Sequence, residues 1–325
     1  NNKINYISIL IRICSLDVIN LINNISDDNI PYKHSDLIHI SSINKKQLEV
    51  FFKTWKGISK TRKIDLLKKF ILLSEENVEL DYSQIFIRFL TDEEPEINQL
   101  SLEGLWEYEG REIIDPVISL LDKIHSVEVR ISAISLLGIY IMHALDKKII
   151  KRDADKIINQ LKLIFKNEKD INIRKKVLEA ISPYGDEEIN IFINQTYKSN
   201  NIEFKKSAIF SMGQTYNEKW LPKILSELDS INPGIRFEAV NAYAKLCNSN
   251  NISPIVKLIK DNDHEIRIAT LNAIGVIGGE TSIKFLETIS NKSNSSLSKA
   301  ANEILKNIKS EENYSFFTPI EINPN

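Results

Sequence analysis

The feature that most constrains this chain is a unit that recurs seven times along it. The segments PEINQLSLEGLW, VEVRISAISLLG, DINIRKKVLEAI, NIEFKKSAIFSMG, PGIRFEAVNAYA, HEIRIATLNAIG and SSLSKAANEIL superpose on one pattern. Taking the Arg position as an anchor gives Asn98, Arg130, Arg174, Lys205, Arg236, Arg267 and Ser298, with spacings of 32, 44, 31, 31, 31 and 31 residues. The residue before each anchor is apolar, the residue three after it is mostly small, and the residue seven after it is apolar again. That is one face of a helix, at i, i+4 and i+8. Apolar segments such as Ile113–Ile124, Trp220–Leu228, Ile252–Ile259 and Ile283–Ile289 lie between these helices, so each repeat reads as a helix pair.

Proline and glycine support the same phase. Pro116, Pro222 and Pro254 fall 18, 17 and 18 residues after their anchors, where proline suits a first helical turn. Gly138, Gly213 and Gly275 stand eight past theirs, which suits close backbone packing near the end of the second helix. Trp106 replaces glycine at that phase and is expected to fill core space, as is Trp220. Apolar residues make up 42% of the 325 and charged residues 26%, enough to bury a substantial core. An all-α fold follows.

These features resemble the HEAT-repeat superfamily, in particular its bacterial branch of short, PBS-lyase-like repeats, seen most clearly in IRIATLNAIGVIGG. The resemblance covers residues 80 to 309 and implies a right-handed α-solenoid of helix pairs. Residues 1–79 are less regular and read as an N-terminal helical region or degenerate repeat cap, with KTRKIDLLKKFILLSEE as an amphipathic helix. Residues 310–325 read as a flexible tail, whose Phe316-Phe317 pair is expected to cap the last repeat rather than to dock elsewhere. About 13 extra residues between Arg130 and Arg174 fall near 143–155, as a longer helix or an excursion between repeats.

HEAT-like arrays serve as scaffolds, lyase subunits, glycosylases and metal hydroxylases, so function must be sought residue by residue. Deoxyhypusine hydroxylases carry His-Glu pairs directly after the anchor, and none stands there in this chain. Arg236-Phe237-Glu238-Ala239 comes nearest, with phenylalanine in place of histidine, while His264-Glu265 precedes its anchor. The bilin-lyase resemblance transfers no catalytic residue. For DNA, the net charge of −2 and the glutamates Glu96, Glu128, Glu203 and Glu265 are a poor match to phosphates. No phosphate-binding loop, nucleophile elbow or zinc motif occurs, and Cys14 and Cys247 share no Cys-x-x-Cys spacing. The apolar stretch 4–21 is broken by Arg12 and Asp17, short of the roughly 20 clean residues of a span. The expectation is a cytoplasmic protein with no cofactor and no membrane partner.

The recurring Arg130, Arg174, Arg236 and Arg267 are expected to form a structural ladder with acidic residues of neighbouring turns, such as Asp170 and Asp263. With positions −1, +3 and +7 buried, positions +1 and +5 point outward, on the helices that line the concave side in this superfamily. Phe210 and Phe237 then lie close together in adjacent repeats beside Lys206, Asn241, Ile268 and Asn272. A mixed apolar and hydrogen-bonding groove of this kind suits peptide or protein recognition. The reading is a non-catalytic scaffold or adaptor that binds an unidentified protein or peptide. The alternative is an enzyme or lyase-like subunit, disfavoured by the missing His-Glu pairs.

Overall fold

A computed structural model describes residues 18–247, 250–292 and 295–315. Cys14 and Phe316-Phe317 lie outside them. Among the described residues the regular structure is all helical. The chain divides into two compact units, residues 1–176 and 177–325.

In the first unit residues 18–25 are helical (α1). They are followed by α2 (His34–Ile38), α3 (Lys45–Trp55), α4 (Lys60–Glu76), α5 (Ser83–Phe89), α6 (Pro95–Glu103), α7 (Ile114–Ser119), α8 (Val127–Leu145) and α9 (Lys151–Asn167). Here α3 packs on α5 and α4 on α6, as one repeat on the next, and α6 packs on α8. Aromatic rings fill the centre of the N-terminal pair, with Trp55 stacked on Phe89 at 4.0 Å and Phe70 on Tyr82 at 4.6 Å. The extra residues near 143–155 lengthen two helices: α8 runs 19 residues and α9 17, joined by a turn in which Lys147 takes φ +60°. By length and composition alone α8 could cross a membrane. In this unit it packs against α6, α7 and α9, and its buried Arg130 is ion-paired with Glu168.

The division falls within α10 (Ile171–Ile181). The second unit continues with α11 (Glu187–Tyr197), α12 (Ile202–Gln214), α13 (Leu221–Glu227), α14 (Pro233–Leu246), α15 (Ser253–Val256), α16 (His264–Ile277), α17 (Gly279–Ser290) and α18 (Ser296–Ser315). The helices α12, α14, α16 and α18 stack in succession; α12, α14 and α18 are backed by the helix before them and α16 by the 3-10 segment Lys257–Lys260. This is the packing of an α-solenoid. The last helix runs to Ser315, six residues into the segment expected as a tail.

The repeat phases have distinct physical jobs. All seven residues at +3, from Ser101 to Ala301, are fully buried, and those at +7 are at most 7% exposed. Gly213 brings two helix backbones together: a Cβ there would lie 2.9 Å from the Cα of Ala242 on the next helix. Four residues before the anchor stands the N-cap. Ser126, Asp170, Asn201 and Asn232 each accept a backbone N–H from the first turn.

The anchor clamps the end of the preceding helix. Arg236 donates to the carbonyls of Ser230 and Ile231 at 2.8 and 3.0 Å, and Arg267 to those of Asp261 and Asn262 at 2.6 and 3.0 Å. Asn98 bonds Leu90 and Asp92, and Ser298 bonds Ser290, in the same way. Helix C-termini leave carbonyls without partners, and a donor from the following helix supplies them. The ladder's acidic partners differ from those expected. Arg236 forms a bidentate pair with Asp261, both bonds 2.8 Å, and Arg130 pairs with Glu168. Asp170 and Asp263 are occupied as N-caps, so the acid two or more residues earlier takes the guanidinium.

Candidate functional site

A pocket of about 330 Å³ opens on the outward rows of α12, α14 and α16. Phe210 and Phe237 form its aromatic walls, Asn241 and Asn272 supply amides, and Val276, 69% exposed, forms its apolar rim. The stacking of the repeats sets the arrangement. Phe210, Asn241 and Asn272 occupy the same phase, five past successive anchors, so helices that stack in register place them side by side. Phe237, Asn241 and Lys245 follow one another at i, i+4 and i+8 along α14.

Two charged groups sit inside this apolar wall. Burial pushes the Glu238 carboxyl up to about 7, against the attraction of Lys206 and Lys245, while Glu179 and Glu203 push the same way as burial. Burial also lowers the Lys245 ammonium, an effect that Glu238 opposes. The Lys245 Nζ lies 5.6 Å from the centre of the Phe210 ring, within cation–π range. The pocket thus holds a carboxyl poised to change charge near neutrality.

Residues 221–306, which include most of this stack, match the family model for HEAT repeats. This segment is an array of HEAT repeats. No curated protein matches the sequence as a whole or in part. Among solved structures, the complex of CpcE and CpcF of phycocyanin lyase from Nostoc sp. PCC7120 is similar over 70% of this chain and 94% of its own, at 14% identity and a TM-score of 0.46. The Escherichia coli protein YibA is similar over 76% and 97%, at 19% identity and 0.45. Human deoxyhypusine hydroxylase in complex with glycerol is similar over 82% and 97%, at 14% identity and 0.32. At these identities and scores the likenesses have no bearing on activity.

Of the six groove residues expected from the HEAT phase, Phe210, Phe237, Asn241 and Asn272 come together in the pocket, and Lys206 and Ile268 do not line it. Lys206 folds back along α12 onto the Glu203 carboxylate at 3.0 and 3.2 Å. Ile268 is half-buried on α16. Sequence reasoning missed Glu238, Lys245 and Val276. Continuing the outward row by one more turn, to nine past the anchor, finds Lys245 and Val276. In the sequence Glu238 stands out only as half of an incomplete His-Glu pair. Elsewhere, His264 and Glu265 sit exposed in the first turn of α16, with His264 Nδ1 3.2 Å from Arg267 Nη2. Among the described residues no group of three or more His, Cys, Asp or Glu is placed to hold a metal ion.

Proposed function

We propose that this HEAT-repeat protein is a non-catalytic scaffold or adaptor that takes a segment of a partner protein in the pocket of α12, α14 and α16. The observation that carries this reading is the convergence of Phe210, Phe237, Asn241 and Asn272, from three successive repeats, on one cleft. Half-buried aromatics offer large contact area at low conformational cost. The flanking amides fix an extended backbone through hydrogen bonds, and the apolar rim excludes water around them. At about 330 Å³ the cleft accommodates one or two side chains of a peptide.

The test is a selection from a random displayed-peptide library against the whole protein, followed by fluorescence anisotropy with the enriched peptide. Truncating an aromatic anchor costs about 2 kcal/mol or more, so the Phe210→Glu, Phe237→Glu double variant should lose on the order of 100-fold in affinity or more. Its helical circular dichroism should stay unchanged. A peptide that binds the double variant as tightly as the wild type, or the failure of any peptide to enrich, overturns the assignment.

A further inference from the structure

Trp106 stands in the first unit at the phase where three other repeats have glycine, yet its side chain is 63% exposed. The expectation that it fills core space is wrong, and the cause is local. α6 ends at Glu103, only five past its anchor, and its C-cap Gly104 lies against the ring of Phe86, where a Cβ would come within 2.4 Å. Trp106 therefore falls in the turn beyond the helix and leaves the buried face. In α12, α14 and α16 the helix continues past this phase, and Gly213 and Gly275 there pack against the next helix.

The indole projects between two hollows. One, of about 440 Å³, lies between α6 and α8 and is lined in part by Glu96 and Glu103. The other, of about 670 Å³, lies beside the end of α4 and the start of α5 and is lined in part by Glu75, Asp81, Glu103 and Glu107. Trp106 and Glu103 border both. Neither lining contains a Lys, Arg or His, although the chain as a whole has 42 Lys and Arg against 44 Asp and Glu. The segregation is local rather than compositional. An indole face attracts cations through its quadrupole, and guanidinium stacks on it best. The carboxylates are spread along the surface and form no cluster fit for a metal ion. Their spacing suits several positive side chains on an extended strand.

We propose that Trp106 and the carboxylates on either side of it form a docking surface for a basic segment of a partner protein. An arginine stacks on the indole, and its neighbours reach the two acidic hollows. The surface is separate from the pocket of the second unit, and its test does not depend on that reading.

The probe is a fluorescein-labelled peptide with arginines spaced by glycine and serine, titrated into the full chain. A matched peptide carries citrulline, the neutral isostere, at every arginine. One exposed cation–π contact together with surface ion pairs predicts about a tenfold loss of affinity for Trp106→Ala, for Glu103→Gln with Glu107→Gln, and for the citrulline peptide. The control pair Glu187→Gln with Glu265→Gln, which lines neither hollow, should bind as the wild type does. Trp55 and Trp220 are 2% and 5% exposed, so quenchable emission comes from Trp106. Caesium should quench it more than iodide, and the arginine peptide should shield it. Equal binding by Trp106→Ala, or equal binding of the citrulline peptide, overturns the proposal. So does iodide quenching as strong as that by caesium.

Discussion

Glu238 should make the stability of this protein fall between pH 4.5 and 7, and replacing it with glutamine should remove that loss. Its carboxyl accepts no hydrogen bond from the described residues, and burial lifts it from 4.5 to about 7 in the folded chain. A pKa raised on folding means that the folded state holds the proton more tightly than the unfolded state does. Below the unfolded value both states carry the proton and Glu238 costs nothing. As pH rises toward 7 the unfolded chain ionises freely while the folded chain resists, and above 7 the whole penalty is present. A difference of 2.5 units corresponds to about 3.4 kcal/mol, and the water that still reaches this partly open carboxyl reduces it to about 2 kcal/mol. Glutamine has nearly the same shape and no charge. The assay is urea unfolding of wild type and Glu238→Gln, followed by circular dichroism at pH 4.5 and pH 8. The two proteins should match at the lower pH, and the variant should be more stable by about 2 kcal/mol at the higher. A variant less stable at pH 8, or an offset that does not change with pH, would refute the reasoning and place the carboxyl in contact with water or a donor.

Further predictions test the repeat framework. Glu168, which burial would raise but which the N–H groups of Asp170 and Lys169 and the Arg130 guanidinium hold down to about 2, contributes stability that is present above pH 4.5 and lost as pH falls toward 2. Glu168→Gln should flatten the acid limb of a pH-stability profile. Arg236→Ala leaves two carbonyls without their donor and the buried Asp261 carboxylate without its counter-ion, and should cost about 3–5 kcal/mol in urea unfolding. Gly213→Ala gains about 1 kcal/mol in helix propensity but forces α12 and α14 apart at a 2.9 Å contact. Overpacking costs typically 1–3 kcal/mol, so its melting temperature should fall.

The packing phases were legible in the sequence because each is fixed by one strong requirement. Positions −1, +3 and +7 must be apolar or small since they face the next helix, and burial at +3 is complete in all seven repeats. The partners of the arginine ladder were not legible to the same degree. An aspartate four before the anchor satisfies two needs on paper, helix capping and charge pairing, and one carboxylate cannot serve both with good geometry. Backbone N–H groups claim Asp170, and Arg130 turns to Glu168, two residues earlier. The alternation Ser, Asp, Asn, Asn, Asp at anchor −4 was itself a capping signature, since each has a short side chain that accepts from the first turn.

The candidate sites lie where the sequence departs from what packing requires. Gly213 and Gly275, eight past their anchors, spend that position on contact with the next helix, at Ala242 and Ile304. Where α6 stops early the contact is not made, and a tryptophan stands in water between carboxylates instead of in a core. Likewise Phe210 and Phe237 are the aromatic residues of outward phases that hold Gln, Ile or Lys (at +1) and Glu, Ser or Asn (at +5) in the other repeats. Glu238 pays a desolvation cost for being in that wall, which the attraction of Lys206 and Lys245 offsets only in part. Residues that add nothing to the stack, or weaken it, gather at the pocket of the second unit and at Trp106 in the first. In an array whose stability comes from nearest-neighbour contacts, such positions are free to be shaped by a partner.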